Sequence, residues 1–100
     1  VRRWHAAGVT GICAYNDQVA LAVLAGARRA GLATPADLAV IGVDDIPAAR
    51  LAVPALTTVT TDQRALAAHL AATVLAAVGG RAGPPPPGDS LVSVIVRESA

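Results

Sequence analysis

An α/β fold on a parallel sheet is what three features of this chain predict. Short β-branched runs recur along it: TGICAYN at 10–16, a run inside TPADLAVIGVDD, LTTVTT at 56–61 and LVSVIV at 91–96. Alanine-rich stretches with apolar residues at helical spacing separate them. Strand, helix and strand then follow one another within roughly 35 residues, the length of a βαβ unit, whose right-handed crossover makes its two strands parallel.

The elements can be justified in order. VRRWHAA, residues 1–7, reads as the tail of a helix stopped by Gly8. The strand at 10–16 follows and holds Cys13 in an apolar setting, which predicts a buried, inert thiol. Asn16 and Asp17 are strong capping residues for a helix, DQVALAVLAGARRAG, that ends at Gly31. Ala20, Val23, Leu24 and Ala27 make its apolar stripe, and Leu21 widens the stripe to one side. The second strand carries VIGV, a continuous apolar run of the kind buried on both faces of a sheet. Two adjacent carboxylates, Asp44 and Asp45, close it.

IPAARLAVPAL, 46–56, has two prolines and reads as a turn plus one short helical turn. LTTVTT supplies the third strand. Asp62 can cap a helix from 63 to 78, with Leu66, Leu70, Val74, Leu75 and Val78 on its inner face and Gly79-Gly80 as its stop. RAGPPPPGD is a proline-rich extended loop, and LVSVIV is a last strand ended by Arg97-Glu98.

Composition narrows the function. The chain is 54% hydrophobic and only 15% charged, which excludes disorder and suggests a domain with more apolar surface than 100 residues readily hide. A net charge of +1 is too near zero for a nucleic-acid footprint. The single cysteine favours a reducing compartment. No apolar run is long enough for a membrane span, so no membrane partner is expected. There is no Gly-rich phosphate loop, no cluster of metal-ligating residues and no nucleophile elbow; no enzyme activity, metal or cofactor is therefore expected. Adjacent strand residues point to opposite faces, so Asp44 and Asp45 are poorly placed to share one reacting centre.

The order of the pieces says more than any one of them. Residues 14–62, AYNDQVALAVLAGARRAGLATPADLAVIGVDDIPAARLAVPALTTVTTD, resemble the effector-binding domain of LacI/GalR-type bacterial transcription repressors. The landmarks are Asn-Asp before an alanine-rich helix, Gly31 followed by Pro35-x-Asp37, Ile41-Gly42-Val43-Asp44-Asp45, and Leu56-Thr57-Thr58-Val59 just after Pro54. The closing Val96-Arg97-Glu98-Ser99 is also similar to that family's C-terminus.

The resemblance implies the C-terminal portion of a periplasmic-binding-protein-like type I fold, two α/β subdomains around a ligand cleft. Residues 1–60 and 91–100 would belong to the C-terminal subdomain. Residues 61–90 would be the crossover helix and loop to the N-terminal subdomain. It implies a cytoplasmic homodimeric regulator that binds a small effector, a sugar or a derivative, and reads operator DNA through an N-terminal helix-turn-helix not contained in these residues. Asp44 is then the ligand carboxylate, since an ionised carboxylate accepts two hydrogen bonds from vicinal hydroxyls. Asp45 would face away, capping or turning. Asn16 resembles the second polar ligand residue, with helix capping as its other role. Thr61 and Asp62 would line the cleft or hinge. Leu21, Leu51 and Ala52 would lie on the subunit interface, Leu21 being equally readable as core. Two other readings stay open: an extracytoplasmic sugar-binding protein serving a transporter, and a truncated piece that binds nothing.

Overall fold

A computed structural model describes residues 1–88 and 91–100. Along the chain run α1 (Arg2–Ala6), β1 (Gly11–Cys13), α2 (Asp17–Ala30), β2 (Ala39–Val43), a 3-10 turn (Pro47–Leu51), β3 (Thr57–Thr61), α3 (Gln63–Val78) and β4 (Val92–Ile95). The strands form one sheet in the order β1-β2-β3-β4. β1 pairs with β2 in parallel, Ile12 opposite Val40, and β2 with β3 in parallel, Gly42 opposite Thr58. The βαβ unit read from the sequence is therefore present. Two units divide the chain: Val1–Thr60 with Val94–Ala100, and Thr61–Ser93.

The first unit has its core between α2 and one sheet face. Ala20, Val23, Leu24 and Ala27 are buried, the stripe expected from helical spacing, and they meet Leu38, Val40, Ala49 and Leu56. Leu21 is half-buried at the margin of this core. Both helix ends are built as the caps predict. Asn16 is extended and its side chain accepts the Val19 N–H at 2.9 Å. Gly31 turns left-handed at φ 76°, a conformation that costs a residue with a Cβ.

Several expectations need correcting. β1 is three residues long rather than seven, because the chain turns off at Ala14 to cap α2. β2 is not buried on both faces: Val40 and Gly42 lie under α2, while Ala39, Ile41 and Val43 on the opposite face are only half-buried. Cys13 shares that opposite face through its pairing with Ile41, and it is exposed rather than buried. Asp44 and Asp45 both adopt left-handed backbone, φ 106° and 51°, so they form a turn in which strand alternation no longer holds.

The tail after β4 does more than end a strand. Ser99, fully buried, gives its carbonyl to Val40 N–H at 2.7 Å and its hydroxyl to Val40 O at 2.7 Å, and that hydroxyl accepts from Thr57 N–H at 2.8 Å. Glu98 accepts the Ala55 N–H at 2.9 Å. Residues 97–100 thus tie into β2 and into the segment leading to β3.

In the second unit Asp62 caps α3, accepting the Ala65 N–H at 2.9 Å, and the helix spans the residues expected. Its expected inner face is not an inner face here. Leu66 is half-buried and Leu70, Val74, Leu75 and Val78 are exposed; Ala76 alone is buried. The prolines at 84–87 are exposed, as a surface loop requires, and Asp89 of that loop lies outside the described residues.

Candidate functional site

In parallel sheets the carboxyl ends of the strands form the edge at which ligands bind, because loops there are free to vary while the strands hold them. β1 and β2 are adjacent and parallel, so the residues that follow them, Asn16 and Asp44, share that edge. They make no hydrogen bond to each other among the described residues. Asn16 is half-buried and engaged with the α2 N-terminus through its Oδ1, which leaves its amide N–H groups uncommitted to that cap.

Geometry separates the two carboxylates of the Asp pair. Asp45 is consumed: its side chain is 16% exposed and accepts from Arg97 Nη2 at 2.5 Å, with Arg50 Nη2 at 3.7 Å. Arg97 is itself held by Nη1 donating to Leu56 O at 2.8 Å and by its N–H on Thr57 Oγ1 at 2.9 Å. The expected turning role of Asp45 is thus joined by an ion pair to the C-terminal tail, 52 residues away in sequence. Asp44 is exposed, and its carboxylate meets no donor among the described residues. Its N–H is fixed by Val59 O at 2.8 Å. One acid is structural and the other is free.

A residue missed in the sequence holds this turn from below. Asp17, read only as half of a capping pair, is fully buried and does not cap. Its Oδ2 accepts the Ile46 N–H at 2.9 Å, and its Oδ1 accepts the Thr58 hydroxyl at 2.6 Å. It stands in the first turn of α2, directly after the Asn16 cap. Gly42 makes the room: a Cβ there would press on Asp17 Oδ1 and lie 3.1 Å from both Asp17 Cα and Leu56 Cδ2. A glycine in the middle of a β-branched run was the available signal, since glycine weakens a strand unless something approaches it closely.

Thr61 ends β3 half-buried, and Asp62 follows as the α3 cap; both belong to the second unit. Of the expected interface residues, Leu51 is 78% exposed on the 3-10 turn, and Ala52 and Leu21 are half-buried against the core. A hollow lined by Leu24, Arg28, Leu32, Thr34 and Pro54 lies at the opposite end of α2 from Asn16. Among the described residues no group of His, Cys, Asp and Glu could hold a metal ion. Among the described residues no helix is long and apolar enough to cross a membrane.

Open α/β sheets bind their ligands at such a carboxyl edge. Residues 1–100 match the family model described as a periplasmic binding protein-like domain, and the chain belongs to that family, within the effector-binding domains of LacI-type transcription regulators. It is 49% identical over 51 residues to the HTH-type transcriptional regulator GalS of Salmonella typhimurium, covering 51% of this chain and 15% of that protein. The sugar-binding transcriptional regulator of the LacI family from Escherichia coli, complexed with phosphate, superposes with a TM-score of 0.78 at 27% identity over 91% of this chain and 32% of that one. A LacI family transcriptional regulator from Arthrobacter sp. FB24 in complex with lactose gives 0.72 at 32% identity, over 90% of this chain and 35% of that one. The chain thus spans about a third of these solved regulators and less of the curated relative.

Proposed function

We propose that this chain is the effector-sensing part of a cytoplasmic, non-enzymatic transcription regulator, and that Asp44 is the carboxylate that accepts hydrogen bonds from a sugar-like effector. The observation that carries this reading is the division of labour within the Asp pair. Asp45 is neutralised by Arg97, while Asp44 stands exposed in left-handed backbone at the carboxyl end of β2. Residues held in sparsely populated backbone regions persist where the surrounding structure enforces them, and they cluster at ligand sites. Relatives described as sugar-binding or solved with lactose support a polyhydroxylated ligand.

In this reading Asn16 donates to the same ligand from the neighbouring strand while its Oδ1 keeps the helix cap. Thr61 and Asp62 are proposed, from the family resemblance alone, as lining residues of the cleft or hinge in the complete regulator. Residues 1–60 and 91–100 serve as the C-terminal subdomain, and 61–90 cross to the N-terminal one. DNA is read by a helix-turn-helix outside these residues.

The test is a melting-shift screen of the complete regulator against mono- and disaccharides, lactose and sucrose included, followed by titration of Asp44→Ala with the sugar that binds. Losing a charged acceptor removes about 1.5 to 3 kcal/mol, or about ten- to a hundredfold in affinity. Unchanged affinity in a folded Asp44→Ala protein would sink the assignment.

Dimerisation through Leu21, Leu51 and Ala52 belongs to the same proposal, because a two-fold regulator reads paired half-sites. Leu51 gives the cleaner test, since Leu21 also packs on the core. Leu51→Arg is expected to yield a folded monomer by light scattering with effector binding intact. A variant that remains dimeric removes Leu51 from the interface.

A further inference from the structure

Asp17 is the only fully buried ionisable group among the described residues, and the function proposed above gives it no role. Burying a carboxylate without a cation beside it is costly, so its bonds have a structural reason. Those bonds converge on one place. Oδ2 holds the N–H of Ile46, the residue directly after the Asp pair. Oδ1 holds the hydroxyl of Thr58, whose oxygen lies 3.4 Å from the N–H of Asp45. On the other side the N–H of Asp44 is bound to Val59 O at 2.8 Å. Two successive left-handed residues that bear a Cβ are therefore bracketed, by the strand ladder before them and by a buried carboxylate and hydroxyl after them.

The structure assigns Asp17 and Thr58 a positioning role: they fix the left-handed Asp44–Asp45 turn so that the Asp44 carboxylate is held out at the sheet edge toward a polyhydroxylated ligand. Neither is exposed, so neither touches the ligand. The assignment rests on the reading of Asp44 proposed above. It makes ligand affinity depend on a hydroxyl and a carboxylate beneath the site.

The experiment uses the complete regulator with Thr58→Val, which removes the hydroxyl at nearly constant shape, Thr58→Ser, which keeps it, and Asp44→Ala. Residue-level amide exchange is read first, without ligand. In Thr58→Val the amides of Asp45 and Ile46 are expected to exchange about tenfold faster, while those of Val40 and Thr57, held by Ser99, keep their rates. A general loss of stability would speed all four alike and overturns the proposal.

Lactose and sucrose are the probes for the second readout. Thr58→Val is expected to bind the active sugar about tenfold more weakly at a temperature where it is fully folded, with Thr58→Ser near the parent. Thr58→Val added to Asp44→Ala is expected to cost no further affinity, because Thr58 acts through Asp44. Full additivity, or unchanged affinity in Thr58→Val while Asp44→Ala loses it, overturns the positioning role and leaves Asp44 as the ligand residue. If Asp44→Ala binds like the parent, or neither sugar binds, the role of Asp44 fails and the positioning toward a sugar fails with it, while the exchange result still reports whether the clamp exists. Should Thr58→Val not fold, Asp17→Asn is read by the same two measurements.

Discussion

Produced by itself, the 100-residue chain is expected to self-associate or to melt without a sharp cooperative transition. In α3 the side chains of Leu70, Val74, Leu75 and Val78 are exposed, Val78 at 83%, and Val92, Val94 and Val96 in and beside β4 are exposed as well. Burying one such side chain fully is worth about 1.5 to 3 kcal/mol. Leaving several wet forgoes a sum comparable with the roughly 5 to 15 kcal/mol that keeps a whole domain folded. Exposed apolar side chains in such number favour association of the isolated chain over a free monomer. Size-exclusion chromatography with light scattering and a thermal melt decide the matter. A monodisperse monomer with one steep transition would show that the remaining core, from Ala20 to Leu56, suffices without that cover.

Local rules read well where local chemistry decides. Asn16 and Gly31 bound α2 because a side-chain acceptor and a left-handed residue are needed within a turn of the helix they serve. The stripe Ala20, Val23, Leu24 and Ala27 is buried because helical spacing puts those positions on one face. Hidden features depend on partners far away in sequence. Asp17 binds residues 29 and 41 positions on, and Asp45 binds Arg97 at 52. No periodicity encodes such pairs. The same limit explains Cys13 and α3: an apolar residue announces that it wants cover, but the pattern does not say whether this segment supplies it. The family resemblance singles out Asp44, by its place after Ile41-Gly42-Val43, as the carboxylate proposed to meet the ligand. It did not reveal that Asp45 is removed from ligand chemistry by an arginine, or that a buried carboxylate sits beneath both.

Gly42→Ala is expected to destabilise the complete regulator by about 1 to 3 kcal/mol, the usual cost of overpacking a close contact. The added methyl would collide with Asp17 Oδ1, an atom that cannot swing aside without breaking its 2.6 Å bond to Thr58. Backbone offers no relief either, since Asp17 Cα lies 3.1 Å from the new atom and Leu56 Cδ2 is equally near. The strand itself would welcome alanine, because glycine carries an entropic cost there. The sign of the change therefore separates the two effects. Denaturant unfolding measures it, and Asp17→Ala supplies the control. Without the carboxylate the methyl regains part of its space, so the double variant is expected to be less unstable than the sum of the single ones. A neutral or stabilising Gly42→Ala would mean that the turn beneath Asp44 yields easily, and strict additivity would mean that Asp17 does not press on Gly42.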